Sequence, residues 1–395
     1  MSDKRQICAD NAATTPVSAS VMEAMRPYFS DIWGNPSGLY ESGRRASKAV
    51  YESRQSIAAS LGCRENEIYF TSGGTEADNW AIKGFARANR ADGRHIVATA
   101  FEHHAVLNSL RSLEKEGFSY DLAEPDESGT VSPSSIEKLI RPDTILVCCM
   151  AANNEIGSIQ PVKEIAAAAH RRGLAFFTDA VQAAGAIPID IGDIGADMLS
   201  ISGHKIHAPK GIGALYIKTG TKIDNLIDGG AQERGMRAGT ENVPYIAGLA
   251  RAVTDAADAA RAGAEPKRIA AMRDRLAAGL SELPYVRVNG GMEDRLPGNL
   301  NMCFEFVEGE SLMLLLDMAG IAVSAGSACA SRSSKPSHVL KAIGLPDRLI
   351  RSSIRFSLGD VNTEEDVDAI IAETKSAVER LRALSPEWEA AFRKG

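Results

Sequence analysis

Short apolar runs alternate with polar turns and with stretches of helical composition between residues 67 and 217. Apolar runs bounded by turn residues are typical of buried strands. They predict strands at residues 67–71, 95–100, 145–150, 174–178, 198–201 and 213–217. Stretches rich in Ala, Leu, Lys and Arg, such as residues 162–172, predict helices between several of these strands. Because helices cover both faces of a parallel sheet, this alternation predicts an α/β fold with a mostly parallel sheet flanked by helices.

The pattern changes after about residue 260. A helical pattern over residues 265–283 precedes strand patterns at residues 285–289 and 300–306, and a closing helix begins with a capping pattern at Thr363. These elements predict a second, smaller α+β domain. We therefore expect a large domain over residues 15–260 and a small C-terminal domain over residues 261–395, which the N-terminal residues 1–14 join.

The composition is that of an ordinary globular protein, with 44% hydrophobic and 24% charged residues in a chain of 395. The net charge of −7 argues against nucleic acid or an anionic membrane as the main partner. We see no signal peptide and no apolar run of membrane-spanning length. Six cysteines lie scattered without the spacing of a disulfide framework or a zinc site. Free thiols in a reducing, cytoplasmic setting are therefore expected.

The turn Ser202-Gly203-His204-Lys205 lies between two predicted buried strands. A lysine held between buried strands is poorly solvated, and desolvation lowers the pKa of an amine. Such a lysine is a candidate nucleophile that forms a Schiff base with a carbonyl group. For this stretch by itself, an exposed hairpin with Lys205 at its tip is the alternative.

Polar residues follow the other predicted strands, where ligands bind in open α/β sheets. Gly74 and Thr75 open a helix after the first strand, and backbone N–H groups at such a start suit a phosphate, although an ordinary capped loop has the same composition. His103 follows the second strand, and its ring is able to stack on a flat ligand or relay protons. Asn154 lies in an amide-rich turn after the third strand and is able to hydrogen-bond a ligand oxygen.

Asp179 ends the strand predicted at residues 174–178, and a buried carboxylate there needs a cationic or hydrogen-bonding partner. The N–H of a pyridinium ring is such a partner, although an Asp at a helix N-cap is equally compatible with the sequence. Together the strand ends supply the parts of a pyridoxal 5′-phosphate (PLP) site. The phosphate would bind at Gly74, Thr75, Ser202 and His204, the ring face at His103, the ring nitrogen at Asp179, the phenolic oxygen at Gln182 and the aldehyde carbon at Lys205.

Cys329 lies in a run of small residues, 323–334, whose composition favours a flexible loop. The nearby basic residues Arg332 and Lys335 would favour its nucleophilic thiolate form. A free cysteine is usually a small buried hydrophobe, and this is the interpretation for Cys63, Cys148, Cys149 and Cys303. Arg355, in an alternating strand pattern at residues 353–358, is a candidate clamp for a substrate carboxylate, with a surface ion pair as the alternative.

Several motifs in the chain resemble those of the cysteine desulfurases of the NifS/IscS type, which are fold-type I PLP enzymes of a class-V aminotransferase-like family. The resemblance runs nearly end to end. It is carried by DNAATTP at residues 10–16, GNPS at 34–37, TSGGTEADN at 71–79, EHHAVL at 102–107, NNEIG at 153–157, DAVQAAG at 179–185, SGHKIHAPKGIGALY at 202–216, GGAQERGMRAGTEN at 229–242, SAGSACAS at 324–331 and IRFSLG at 354–359. Related aminotransferases share the lysine motif but lack the thiol motif.

The resemblance implies conversion of L-cysteine to L-alanine, with Lys205 as the Schiff-base lysine and Cys329 as the thiol that accepts sulfur as a persulfide. It further implies that Arg355 and Asn154 bind the substrate carboxylate. Thr240 resembles the residue that reaches the phosphate of the neighbouring subunit's cofactor, so a homodimer with shared sites is expected. The sulfur would pass to an acceptor such as an iron–sulfur scaffold protein or the machinery of tRNA thiolation.

Two positions depart from the family pattern. Tyr40 stands where members often have histidine, and the tail stops soon after Trp388, whereas many members use a longer tail to dock a scaffold. Three alternatives remain open at this point. They are a selenocysteine lyase, a PLP aminotransferase without need of a mobile thiol, and a non-catalytic sulfur-carrier or assembly subunit.

Overall fold

The structure, a computed structural model, describes residues 6–325 and 336–392. Within these ranges the strands are β1 Ile7–Cys8, β2 Ile68–Thr71, β3 His95–Thr99, β4 Ser119–Ala123, β5 Thr144–Cys148, β6 Ala175–Asp179, β7 Met198–Ser202, β8 Gly213–Ile217, β9 Val286–Val288, β10 Asn299–Phe304, β11 Ile321–Ala322 and β12 Ser353–Ser357. All six strands predicted between residues 67 and 217 are present, with their ends shifted by at most two residues.

The helices in the same ranges alternate with the strands of the first half and cluster in the second. They are α1 Ala19–Met25, α2 Pro27–Ser30, α3 Glu41–Leu61, α4 Gly74–Asn79, α5 Phe85–Ala88, α6 His104–Glu114, α7 Pro133–Glu137, α8 Val162–Arg171, α9 Ile191–Ile194, α10 Val243–Ala262, α11 Ala264–Leu280, α12 Gly309–Met318, α13 His338–Ala342, α14 Asp347–Arg351, α15 Glu364–Ala383 and α16 Pro386–Phe392. The predicted closing helix begins after Thr363, whose side chain forms a capping box with Asp366.

A seven-stranded sheet forms the centre of the larger part, in the order β2-β8-β7-β6-β5-β3-β4. Strand β8 runs antiparallel to both of its neighbours, and the remaining pairs are parallel. The connection from β7 to β8 contains no crossover helix, so β8 returns antiparallel beside β7. The mostly parallel sheet is therefore confirmed, while the edge strand β4 went unpredicted because its polar, half-exposed residues do not form an apolar run.

The two faces of this sheet pack into separate hydrophobic clusters. Val97 and Phe176 belong to one cluster together with residues of α3 and α10. Their chain neighbours Ile96 and Phe177 belong to the other, together with residues of α4–α6. Since side chains alternate between the faces of a strand, helices cover both faces as the sequence predicts.

A third hydrophobic cluster lies in the C-terminal part of the chain. There β9, β10 and β12 form an antiparallel sheet, and residues of α11 and α15 pack in the same cluster. The first strand, β1, pairs in parallel with β11 and adds Ile7 and Ala9 to this cluster. On this basis we retain the proposal of a small domain joined by the N-terminal residues. The proposed boundary at residue 260 lies in the last turn of α10, which ends at Ala262 before the left-handed Gly263.

Among the residues described, none of the helices combines the length and the apolar character needed to cross a membrane.

Candidate active site

A cavity of about 580 Å³ lies at the carboxyl ends of the parallel strands. It is lined by ten of the residues singled out in the sequence, namely Gly74, Thr75, His103, Asn154, Asp179, Gln182, Ser202, His204, Lys205 and Arg355. Thr240 is exposed and does not line this cavity. Cys329 lies outside the described residues. The strand-end residues thus meet at one place, as the rule for open α/β sheets predicts.

One end of the cavity is formed where β2 passes into α4. Gly73 adopts a φ of +149°, which only glycine adopts readily, and α4 begins at the next residue. A Cβ atom on Gly74 would lie 2.7 Å from Cγ2 of Val181, so this approach also requires glycine. The first turn of a helix carries N–H groups without intrahelical acceptors, and α4 continues through a π-helical turn into α5. Together with Ser202 and His204, this end suits a phosphate group.

Lys205 lies in a short 3-10 turn, Gly203–Lys205, that follows β7 directly. Its Nζ donates hydrogen bonds to the backbone oxygens of Ala12 and Ala13, at 2.6 and 2.7 Å. The two buried strands predicted on either side of the Lys205 turn are present as β7 and β8. The side chain is half-buried beyond the end of β7, because the turn carries it out of the sheet to the cavity wall.

The N-terminal segment, residues 10–15, holds several of the cavity residues in place. Besides contacting Lys205, the Ala12 oxygen accepts a hydrogen bond from Nε2 of Gln182 at 3.0 Å. Thr14 Oγ1 lies 3.2 Å from Nδ1 of His204. In the sequence this segment is recognisable only as a family motif, without an assigned role. The contacts of this segment with Lys205 and Gln182 are made by backbone carbonyl groups. Such contacts cannot be predicted from residue type, because every residue has a backbone carbonyl.

Asp179 is buried at the end of β6, and one of its carboxylate oxygens accepts the N–H of Val181 at 2.9 Å. Burial raises the pKa of Asp179 to about 6, although the Val181 hydrogen bond and the charge of Lys205 oppose the shift. A buried carboxylate of this kind gains from a cationic N–H donor, so the predicted contact with a pyridinium nitrogen fits the structure.

A second buried acid, Asp78, lines the same cavity and was missed in the sequence. Its Oδ1 accepts a hydrogen bond from Ser200 at 2.5 Å, and its carboxylate lies within 4.8 Å of ligand atoms of Asp179 and His103. Burial, followed by the charge of Asp179, raises the pKa of Asp78 well above its usual range. Two carboxyl groups this close hold a proton more readily than either would alone. In the sequence Asp78 is one of several polar residues of a helix start, and nothing there indicates its burial.

His103 is the N-cap residue of α6, and its Nδ1 accepts the backbone N–H of Ala105 at 3.2 Å. Burial, reinforced by nearby His104 and Lys205, lowers the pKa of His103 to about 4. The ring is therefore neutral near pH 7, and its proton lies on Nε2 because Nδ1 is an acceptor. A neutral ring in the cavity wall suits stacking on a cofactor ring.

Arg355 of β12 also lines the cavity and is 1% exposed, so the alternative of a surface ion pair is wrong. Its Nη1 donates to the backbone oxygen of Asn154 at 3.0 Å, and its Nη2 to Oδ1 of Asp10 at 2.6 Å. Nε has no hydrogen-bond partner among the described residues. A buried guanidinium with an unpaired donor is suited to bind an anionic group of a ligand.

Four thiols lie wholly or, for Cys63, partly in the interior, and burial disfavours their thiolate form. It raises the pKa of Cys63 to about 12 and raises those of Cys148, Cys149 and Cys303 above the ordinary value. These four thiols are therefore poor nucleophiles near neutral pH.

Comparisons with known proteins extend this description. A family model described as aminotransferase class-V matches residues 7–370. The chain is 50% identical to the cysteine desulfurase IscS of Methanosarcina thermophila over 97% of this chain and 95% of that protein. A solved structure titled NifS-like protein superposes with a TM-score of 0.88 at 37% identity, covering 95% and 99% of the two chains. Another, titled SspA in complex with cysteine, gives a TM-score of 0.80 at 35% identity, covering 91% and 100%. These likenesses confirm the fold-type I architecture expected from the sequence.

We predict that the affinity of the apoprotein for PLP falls as the pH is lowered through about 6, because Asp179 then takes up a proton and loses its attraction for the ring N–H. Asp179→Asn should bind PLP more weakly at neutral pH and should lack this part of the pH dependence. Equilibrium titration of the apoprotein with PLP from pH 5 to 8 measures both.

The phosphate of PLP also titrates in this range and affects both proteins alike. The quantity to compare across the pH range is therefore the ratio of the PLP affinity of the wild type to that of Asp179→Asn. Asp193→Asn, which alters an exposed carboxylate paired with Lys163, is the matched control and should follow the wild type. Parallel curves for wild type and Asp179→Asn would contradict the assignment.

Proposed function

The chain belongs to the aminotransferase class-V family, and with this membership as the premise we propose which of its residues carry out its reaction. The protein is a PLP-dependent cysteine desulfurase of the IscS type. The observation that carries the assignment of residues is the meeting of Lys205, Asp179 and Arg355 in one cavity. These side chains supply an amine, a carboxylate and a guanidinium, which match the aldehyde and ring nitrogen of PLP and the carboxylate of an amino acid.

The cofactor would be held along the cavity by groups that fit each of its parts. Its phosphate would bind at the start of α4 with Ser202 and His204, and His103 would stack on its ring. Asp179 would pair with the ring nitrogen and Gln182 would contact the phenolic oxygen. When bound, PLP supplies an electron sink for the pair of electrons left at the substrate α-carbon after its proton is removed.

Substrate L-cysteine would bind with its carboxylate on Arg355 and the Asn154 side chain. Arg355 suits this task because β12 and the Asn154 oxygen fix its direction before substrate arrives. Lys205 Nζ then removes the proton from the substrate α-carbon and later returns a proton. The oxygens of Ala12 and Ala13 hold this amine in place. His103, neutral with its proton on Nε2, is positioned to pass a proton within the cavity.

Cys329 would accept the sulfur. Its thiolate attacks the sulfur of the substrate, so that an S–S bond forms and the bond between sulfur and the substrate β-carbon breaks. The carbon keeps the electron pair and takes up a proton to become the methyl group of alanine. Cys329 is thereby oxidised to a persulfide, and the substrate carbon is reduced. The raised pKa values of the four interior thiols support the choice of Cys329 over them.

We predict that Cys329→Ser abolishes the protein-bound persulfide while leaving the absorption of the bound cofactor and its response to L-cysteine intact, because the hydroxyl is a poor nucleophile toward sulfur. Mass spectrometry of the protein after brief exposure to L-cysteine measures the added sulfur. Cys8→Ser, which removes an exposed thiol, is the control and should retain the persulfide. A persulfide formed at the full rate in Cys329→Ser would contradict the assignment.

Thr240 would complete the phosphate site of a second subunit in a homodimer. Its exposure on the surface and its absence from the cavity lining of its own chain support this proposal. The segment that carries it is fixed by two ion pairs. Glu233 binds the buried Arg54 through both carboxylate oxygens, at 2.8 and 2.7 Å, and Arg237 binds Glu76 of α4 at 2.8 and 3.0 Å. Thr240 is thus presented on a firmly anchored segment.

We predict that a mixed dimer of one Lys205→Ala chain and one Thr240→Ala chain contains one intact site. The Thr240→Ala chain keeps its lysine, and its partner supplies the missing threonine. Dimers carrying different affinity tags, purified after co-expression, should therefore show about half of the wild-type activity per dimer, above that of either parent variant. If Thr240 instead acts within its own chain, the mixed dimer contains one Thr240→Ala site and one inactive site. Its activity would then be no higher than half of that of the Thr240→Ala homodimer, and this result would contradict the proposal.

The sulfur acceptor would be a protein such as an iron–sulfur scaffold or a component of tRNA thiolation, since a persulfide transfers its outer sulfur to another thiol. We propose a cytoplasmic location, where a reducing environment keeps Cys329 available as a thiol. The cysteines Cys8, Cys63, Cys148, Cys149 and Cys303 are all free, which agrees with such a setting.

A further inference from the structure

The ion pair between Arg355 and Asp10 has no role in the chemistry proposed so far. Nη2 of Arg355 lies 2.6 Å from Oδ1 of Asp10, and the same Oδ1 accepts the hydroxyl of Ser324 at 2.9 Å. Nη2 also lies 3.2 Å from the Ser324 hydroxyl, so the three side chains form a closed triangle. The backbones of Ser324 and Arg355 are joined by two hydrogen bonds, which fix the arrangement further.

Asp10 contacts the guanidinium of Arg355 without lining the cavity. Arg355 and Asn154 line the cavity, whereas neither Asp10 nor Ser324 does. A ligand carboxylate in the cavity would therefore reach Arg355 without displacing Asp10. Asp10 is the only ion-pair partner of Arg355 in the part of the chain that the structure describes. The cation at the substrate end is thus already balanced by a negative charge before a ligand binds.

This arrangement has a direct electrostatic consequence. A carboxylate that binds Arg355 is attracted by the guanidinium and repelled by Asp10, and in a site shielded from water neither effect is strongly screened. Substrate cysteine and product alanine carry the same carboxylate. An Arg355 without its counter-ion would therefore hold both more tightly and would slow the departure of the product.

We propose that Asp10 is a positioning residue that acts through Arg355. It orients the guanidinium toward the cavity and offsets part of its charge, so that the amino-acid carboxylate is bound selectively yet released after reaction. This inference rests on the proposed role of Arg355 as the carboxylate ligand. It assigns a function to the aspartate of the N-terminal segment that is independent of the contacts of that segment with Lys205.

The test compares variants of the holoenzyme in equilibrium binding of L-alanine, followed by the absorption of the bound cofactor. Asp10→Asn removes the charge but keeps an oxygen that accepts from Arg355 and Ser324. It should bind L-alanine at least about fivefold more tightly than the wild type. Its KM for L-cysteine should fall, and its kcat should not rise, because alanine leaves more slowly. Asp10→Glu should return the affinity toward the wild-type value.

Ser324→Ala is the matched control, because it removes both hydrogen bonds of the Ser324 hydroxyl in the triangle and leaves the charges in place. It should change the affinity for L-alanine by less than about twofold. Asp10→Ser also removes the charge and replaces Asp10→Asn if the latter does not fold. A purely structural role for Asp10 predicts weaker or unchanged binding in the neutral variants, and that result would overturn the inference.

Arg355→Gln separates the inference from the function on which it rests. If this variant binds L-alanine as the wild type does, Arg355 is not the carboxylate ligand, and the proposed substrate site and the role of Asp10 both fail. If it binds L-alanine much more weakly while Asp10→Asn does not bind it more tightly, the substrate site stands and only the role of Asp10 fails.

Discussion

The contact between the N-terminal segment and the turn of Lys205 is the constraint on which the rest of the site depends. Thr15 and His204 are joined through the backbone at 2.9 Å, and the oxygens of Ala12 and Ala13 receive the lysine amine. The preceding strand β1 pairs with β11, and Ile7 of β1 packs in the hydrophobic cluster of the C-terminal part of the chain. Residues 10–15 thus connect the turn that carries Lys205 with the part of the chain that contains Arg355 in β12. The placement of Lys205 relative to Arg355 in the cavity therefore depends on this connection.

Burial of acids gives the cavity its second defining property. Asp78 and Asp179 approach each other in an interior region, and the pKa of Glu102, which also lies there, is raised to about 8 by burial. Desolvation makes each negative charge costly, so a cationic ring nitrogen that binds Asp179 relieves an unfavourable state of the protein. The same environment keeps His103 neutral. The shifted pKa values of the site therefore follow from burial, because residues such as Asp179 lie at the ends of buried strands.

The sequence predicted the sheet and most of the cavity because both follow from local patterns. Apolar runs marked the strands, and a polar residue at each strand end marked a cavity residue such as Asp179. Contacts between residues distant in the chain left no such pattern. Asp10 and Asp78 belong to family motifs, but no local pattern shows what they contact, since their roles depend on Arg355 and Asp179, which lie far away in sequence. The sequence also left open how far the Lys205 side chain is buried, because periodicity does not show how a turn leaves a sheet.

We conclude that this cavity removes sulfur from L-cysteine with the help of PLP. The most direct test records the visible absorption of the purified holoprotein before and after L-cysteine is added, while alanine and released sulfur are measured in the same sample. We expect an absorption band that shifts on addition, with alanine and sulfur formed in equal amounts. A band that shifts while no alanine forms would contradict it and would point to a different amino-acid substrate.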